Sequence, residues 1–206
     1  MEVYSNENEQ VDALKSFFAQ NGKALVVGVI IGVGALAGWR YWATHQEGSH
    51  QEASTAYQQV STALDTSKPE TLDAAAKFAS ENSNTYGALA SLDLAKRYVD
   101  GNQLDKAVAQ LQSGLKDTKD ANLQAVLNLR LARIQLQQKQ PDEVLKTLDA
   151  VKGDGWTAIV ADVRGEALLS KGDTKGARDA WSKGIASDAS PALKEMLQMK
   201  MNNLPG

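Results

Sequence analysis

The sequence predicts an all-α protein: one N-terminal transmembrane helix, then a solenoid of helical hairpins that ends in a capping helix. Three observations predict this fold. A long uncharged stretch begins at residue 24. Beyond it, turn and capping residues such as Gly-Asn, Gln-Pro and Gly-Asp separate successive helical patterns. Small and large residues also recur along these patterns at intervals of 37 and 33 residues.

The composition limits the functions that this chain can have. Its 206 residues leave room for one soluble domain and an anchor. The formal net charge of −3 provides no positive field for phosphate backbones, so a nucleic-acid partner is not expected. Cysteine is absent, which excludes disulfides, thiolate metal sites and cysteine nucleophiles.

The uncharged stretch covers residues 24–39 and is slightly shorter than the roughly 20 residues that cross a bilayer. Basic and aromatic residues at its ends extend the stretch to the length of a membrane span, because they place charges and amphipathic rings at the membrane interfaces. These flanking residues are Lys23, Trp39, Arg40, Tyr41 and Trp42. We therefore expect a transmembrane helix over residues 24–42.

A buried helix and a cleaved signal peptide are the two alternatives to a transmembrane helix here. A buried helix of a soluble protein does not account for the flanking basic and aromatic residues. A cleaved signal peptide is suggested by Ala35-Leu36-Ala37, which resembles a signal-peptidase site. The long acidic segment before the stretch and the bulky Trp39 and Tyr41 after it favour a retained anchor.

The distribution of basic residues predicts the orientation of the span. Lys15 and Lys23 precede it, whereas Arg40 is the one basic residue close behind it until Lys68. By the positive-inside rule, the N-terminal tail lies in the cytoplasm and the C-terminal domain lies outside, in the periplasm of a bacterium.

Four glycines suggest that the span packs against another helix. Gly28 with Gly32, and Gly34 with Gly38, have the small-xxx-small spacing that lets helices approach closely in a membrane. We predict a transmembrane packing face at these positions. The alternative is that glycine is simply common in membrane helices.

The segments on either side of the span are predicted to differ in character. The tail over residues 1–23 is acidic, and apolar residues recur in it at helical spacing at Val11, Leu14, Phe17 and Phe18. This pattern indicates a short amphipathic helix that lies on the membrane surface or contacts a partner. Residues 43–52 are polar and form either a juxtamembrane linker or the start of a helix.

Residues 53–206 are predicted to form a domain of tetratricopeptide repeat (TPR)-like hairpins, because their recurring residues have nearly the TPR period of about 34. In the first helices of the hairpins, the recurring small residues are Ala95, Ala132 and Gly165. In the second helices, the recurring smaller residues are Ala107, Val144 and Ala177, and the recurring large residues are Leu111, Leu148 and Trp181. Gln135 departs from the pattern, which expects a large apolar residue there. Residues 51–66 and 70–81 would form an additional, more divergent hairpin. Residues 191–204 would form the capping helix that covers the last hairpin. A generic helical bundle is the alternative.

The sequence contains no pattern that indicates catalysis. His45 and His50 are five residues apart, which does not place them on one helical face, and no carboxylate cluster accompanies them. No nucleophile triad or phosphate-binding loop is present. We therefore expect no enzyme activity, no metal site and no cofactor.

A binding surface remains as the candidate functional site. In a TPR array, the first helices of successive hairpins line the concave face. The alignment places there Leu92, Lys96, Val99, Leu129, Arg133, Leu136, Asp162, Glu166 and Leu169. Apolar positions beside Lys96 and Arg133 would suit an extended or helical peptide that carries an acidic group. Burial of the same residues against neighbouring helices is the alternative.

Several segments also resemble one known family. They are residues 17–25 (FFAQNGKAL), 38–42 (GWRYW), 84–92 (NTYGALASL), 152–156 (KGDGW) and 164–167 (RGEA). Together with the acidic tail, they make the chain similar from end to end to the YfgM-like ancillary translocon subunits of Gram-negative inner membranes. This resemblance is more specific than the TPR pattern alone.

The resemblance implies a single-pass inner-membrane protein with its N-terminus in the cytoplasm. It further implies association with the SecYEG translocon and partnership with PpiD, a membrane-anchored periplasmic chaperone. Together they would receive translocating polypeptides. The family has no catalytic residues to transfer to this chain. A membrane-tethered TPR scaffold for another envelope complex is the alternative function.

Overall fold

The computed structural model describes residues 4–65 and 67–204, and these residues form nine α-helices, one short 3₁₀ helix and no strand. The chain divides into two units, Met1–Glu52 and Ala53–Gly206. The predicted all-α fold is confirmed.

The first helix, α1, extends over Tyr4–Ala63. Within it, Leu14–Thr44 is the one stretch of the described residues that is long and apolar enough to cross a membrane. At 1.5 Å per residue its 31 residues extend over about 46 Å, which exceeds a hydrocarbon core of about 30 Å. Every side chain from 23 to 42 is exposed, so none of the residues that the structure describes covers this apolar surface. Residues 43–52 are helical but continue α1, so they are neither a non-helical linker nor the start of a new helix.

The remaining helices are short and separated by tight turns. They are α2 Pro69–Glu81, α3 Thr85–Asp100, α4 Leu104–Asp117, α5 Ala121–Gln137, α6 Pro141–Asp149, α7 Thr157–Ser170, α8 Thr174–Ala186 and α9 Pro191–Asn202. The 3₁₀ helix Asp154–Trp156 precedes α7. Asn102 and Gly172 adopt positive φ angles in the turns that close the α3–α4 and α7–α8 hairpins.

The core of the second unit repeats along the chain. One cluster joins α3, α4 and α5, the next joins α5, α6 and α7, and the third joins α7, α8 and α9. Each cluster therefore consists of one hairpin and the first helix of the following hairpin, as in a TPR solenoid. The last helix, α9, covers the final hairpin through the fully buried Leu197.

The recurring small and large residues meet inside the hairpins, as predicted. Ala95 and Leu111 share the first cluster, and Ala132 and Leu148 share the second. In the third hairpin the pair is Gly165 with Trp181, and a Cβ atom on Gly165 would lie 2.1 Å from the indole Nε1. The glycine is therefore required by the size of the tryptophan.

The last part of α1 belongs to the second unit and packs with α2 and α3. Leu64, Ala75 and Leu94 form a fourth cluster of the core there. Among the described residues α2 packs chiefly against α3, and the divergent hairpin of residues 51–66 and 70–81 stays a prediction. The predicted exception Gln135, in the middle of the array, is buried, and its side-chain oxygen accepts a hydrogen bond from Thr147 Oγ1 at 2.8 Å.

Candidate functional site

Two grooves lie along the first helices of the hairpins. The first groove, of about 340 Å³, runs between α3 and α5. The second groove, of about 710 Å³, is formed by α5, α7 and α9. Arg133 on α5 lines both grooves. Together they form the face that the sequence predicts as a binding surface.

The first groove combines an apolar floor with a charged rim. Leu92 and Val99 of α3 line it together with Ile134 of α5. The lining also includes three cations and two carboxylates, namely Lys96, Arg130, Arg133, Asp93 and Asp100. Among the residues that the structure describes, no carboxylate lies within 4 Å of the side-chain nitrogens of Lys96 or Arg130. The groove thus has two cations without an ion-pair partner, Lys96 and Arg130, beside apolar surface and beside the carboxylates of Asp93 and Asp100.

Asp93 in the same groove is held by the end of α1. Tyr57 Oη and Ser61 Oγ each donate a hydrogen bond to Asp93 Oδ2 at 2.8 Å. Burial of the phenol, the hydrogen bond to Asp93 and the charge of that carboxylate raise the pKa of Tyr57, although the Ser61 hydroxyl acts in the opposite direction. The Asp93 carboxylate is therefore already engaged on its α1 side.

The second groove contains a network of opposite charges. Lys200 Nζ on α9 donates hydrogen bonds to Asp162 Oδ1, at 2.5 Å, and to Glu166 Oε1, both on α7. Arg133 approaches the other oxygen of Asp162 at 3.6 Å. Because the Asp162 side chain is only 8% exposed, its charge requires these cations. The carboxylates of this groove are neutralised within the molecule.

The pKa of Lys200 is raised by this network. Burial of the ammonium acts to lower the pKa, but the hydrogen bonds and charges of Asp162 and Glu166 outweigh burial. The lysine is therefore held in its charged form by the two carboxylates of α7.

The structure separates the predicted binding residues into three groups. Leu92, Lys96, Val99 and Arg133 line the first groove, and Arg133, Leu136, Asp162 and Glu166 line the second. Leu129 does not face either groove: it is 6% exposed and packs against α6 and α7 in the second core cluster. Leu169 packs in the third cluster instead. For these two leucines the alternative of burial against neighbouring helices describes the structure.

Two cations of the grooves, Arg130 and Lys200, are not among the residues that the sequence predicts for the binding face. Arg130 precedes Arg133 by three residues, so helical periodicity places both on one side of α5. Lys200 follows Glu166 by 34 residues, one TPR period, and so continues the series Lys96, Arg133 and Glu166 onto α9. The repeat period alone would have identified Lys200 if α9 had been aligned as the first helix of a further unit.

The four glycines of the span lie on exposed sides of α1, and no other atom of the described structure would contact a Cβ at any of them. At 3.6 residues per turn, Gly28 and Gly32 point about 120° away from Gly34 and Gly38. The spacing therefore produces two surfaces of small residues on different sides of one helix.

No cluster of three or more metal-binding side chains occurs among the described residues. The side chains of His45 and His50 lie outside the described part of the structure.

Comparison with known proteins gives a consistent result. The family described as tetratricopeptide repeat-like domain matches residues 15–206. The ancillary SecYEG translocon subunit of Escherichia coli (strain K12) is 66% identical over 204 residues, which is 99% of both chains. The ancillary SecYEG translocon subunit of Haemophilus influenzae is 34% identical over 98% of this chain and 100% of its own. The protein of the same name from Neisseria gonorrhoeae is 23% identical over 99% of this chain and 100% of its own. No solved structure matches the chain significantly.

Proposed function

The chain belongs to the tetratricopeptide repeat-like family that includes the ancillary SecYEG translocon subunits, and we propose that it acts as such a subunit. The observation that carries this proposal is the 66% identity over 204 residues, which includes the span as well as the hairpins. The fold supports the same role, because a helix able to cross a membrane precedes a repeat domain that has two open grooves.

The proposed location is a bacterial inner membrane, crossed once by α1. The tail of residues 1–23 lies in the cytoplasm, residues 24–42 form the transmembrane segment, residues 43–52 form the juxtamembrane part of α1 and residues 53–206 form a periplasmic domain. Lys15 and Lys23 before the span, against Arg40 directly behind it, support this orientation.

The proposed role is that of a non-enzymatic adaptor. The span associates with the SecYEG channel and with the anchor of a PpiD-like chaperone, and the repeat domain holds translocating polypeptides as they emerge. The exposed apolar surface of α1 supports partners within the membrane, and the first groove supports a site for polypeptide segments. Neither part of this role requires a cofactor.

Purification of the tagged full chain from membranes in mild detergent tests the proposal. We expect channel subunits and a membrane-anchored chaperone of the prolyl-isomerase type to be recovered together with it. Recovery of a different envelope assembly, without the channel, would replace the proposal with that of a scaffold for that assembly.

The glycines of the span provide a sharper version of this experiment. Replacing Gly28 and Gly32 by leucine should reduce the recovery of membrane partners, because leucine side chains keep a second helix at a greater distance. The matched control replaces Val29 and Val33 by leucine, since these neighbouring residues are exposed on a different side of α1. Equal recovery with both variants would exclude a role for the Gly28–Gly32 surface.

A further inference from the structure

The two grooves are built from equivalent positions of successive helices but differ in the charges that stand at these positions. Lys96, Arg133, Glu166 and Lys200 occupy equivalent positions on α3, α5, α7 and α9. In the second groove, α7 supplies two carboxylates to its flanking cations. In the first groove, the equivalent positions carry the cations Lys96 and Arg133, with Arg130 beside them.

We infer that the first groove binds a segment of unfolded client polypeptide through an apolar side chain and a neighbouring aspartate or glutamate carboxylate. This inference rests on the proposed function and specifies the chemistry of its client. The apolar side chain lies on Leu92, Val99 and Ile134, and the carboxylate is held by Lys96 and Arg130. Arg133 retains its contact with Asp162.

The molecule itself shows that a carboxylate is accommodated on this face. Lys200 and Arg133 both contact Asp162, which is almost completely buried. A client carboxylate in the first groove would have the same kind of cation partners in a partly exposed setting, where charge-assisted hydrogen bonds are stronger than neutral ones. The second groove is not available for this purpose, because its cations are already paired.

The size of the first groove and the surface around it indicate a segment rather than a folded partner. A volume of about 340 Å³ is at the lower end of the roughly 300–1,000 Å³ range of ligand pockets and fits a few side chains. Among the described residues from 53 to 204, Met199 is the one large apolar side chain classed as exposed, at 54%. The described surface of this unit therefore offers few large apolar anchors of the kind that hold a folded partner.

Peptide binding to the purified full chain in detergent tests the inference. The probes are two short fluorescent peptides of alternating leucine and serine that differ at one central position, glutamate in the first and glutamine in the second. Fluorescence anisotropy should show that the glutamate peptide binds about fivefold to tenfold more tightly. Equal affinities for the two peptides, or no binding of either, would overturn the inference.

Substitutions then locate the site. The double variant Lys96→Gln with Arg130→Gln should lose the preference for glutamate and keep the weaker binding of the glutamine peptide. Neither residue has an ion-pair partner among the described residues, so the fold does not depend on their charges. The matched control is Lys183→Gln, an exposed lysine of α8 that lines neither groove. A preference that survives the double variant, or disappears in the control, would place the site elsewhere.

The two proposals fail in different ways. The double variant leaves the span unchanged, so it should still recover channel subunits from membranes. Recovery of the channel without any peptide preference would reject the groove inference and leave the proposed function standing. Peptide preference without recovery of the channel by the unaltered chain would reject the translocon role itself.

Discussion

Gly165 and Trp181 occupy the hairpin of α7 and α8 at the positions where the other two hairpins have an alanine and a leucine. The indole is 2% exposed and its Nε1 donates to the Asp162 carbonyl oxygen at 3.2 Å. The larger ring is accommodated because the opposite residue has no side chain. The distance between the two helices thus depends on the combined volume of the two facing side chains rather than on the volume of either one.

Gly165→Ala should therefore destabilise the repeat domain by about 1–3 kcal/mol, because the new methyl group overlaps the indole in a closely packed core. Adding Trp181→Leu recreates the alanine–leucine pair of the neighbouring hairpin and should recover part of the loss, so the two changes are not additive. Urea unfolding of the full chain in detergent, followed by circular dichroism, measures both effects.

Gly155→Ala is the control for this substitution, since nothing lies within 4 Å of a Cβ there. It should leave the unfolding midpoint nearly unchanged. An unchanged midpoint in Gly165→Ala as well would show that the indole moves aside without cost.

Lys200 links the stability of the domain to pH at the alkaline end. Its pKa in the folded state is raised above the ordinary 10.5, so its stabilising contribution is complete below 10.5. That contribution is lost as the pH increases from 10.5 through the folded-state pKa. We expect the free energy of unfolding to fall over this range more steeply in the unaltered chain than in Lys200→Met.

The difference between the two unfolding curves isolates Lys200, because the two proteins differ at that residue alone. At neutral pH, Lys200→Met should cost about 1–3 kcal/mol, since it leaves Asp162 and Glu166 without their shared cation. Adding Asp162→Asn should restore part of this loss. A pH-independent difference between the proteins would contradict the assigned role of the network.

At the scale of the helices, the starts of α3, α5, α8 and α9 are fixed by side-chain caps, whereas those of α4 and α6 are not. Asp120 accepts a hydrogen bond from the Leu123 backbone N–H at 2.7 Å at the start of α5. Since α5 contributes to both grooves, the position at which it begins determines where Arg130 and Arg133 lie on the surface.

Asp120→Ala should cost about 1 kcal/mol of stability, because the carboxylate satisfies a free backbone N–H and interacts favourably with the helix dipole. The corresponding residue at the start of α4, Gln103, makes no side-chain cap. Gln103→Ala should therefore change the urea midpoint much less. Equal effects of the two substitutions would show that the cap of α5 is not a source of stability.

At the scale of the whole molecule, the absence of cysteine allows the predicted orientation to be tested directly. Single cysteines can be introduced at two exposed positions, Asp12 in the tail and Asp188 after α8. In intact spheroplasts, a membrane-impermeant maleimide should label Asp188→Cys and not Asp12→Cys. Lysis should make both accessible, and labelling of Asp12→Cys alone before lysis would reverse the proposed orientation.

The sequence by itself determined the order of the helices from α2 onward and the contacts inside the hairpins of α3 to α8, whereas the continuity of α1 over Tyr4–Ala63 was not predicted. The uncharged stretch, the turn residues and the period of small and large residues are local properties, because a helix fixes which residues share one side. The same periodicity correctly places Lys96 and Arg133 on the groove side of their helices.

Only the tertiary structure decided which of these surfaces remain open. Leu129 is in register with Leu92, but the following hairpin covers it, whereas Leu92 lines the first groove. Lys200 of α9 and Arg133 of α5 pair with the carboxylates of α7, and among the described cations that line the two grooves Lys96 and Arg130 have no ion-pair partner. The physical reason is that burial and pairing depend on neighbouring helices that are distant in sequence. The repeat period assigns each residue a position, and the packing of the next helix determines whether that position can bind anything.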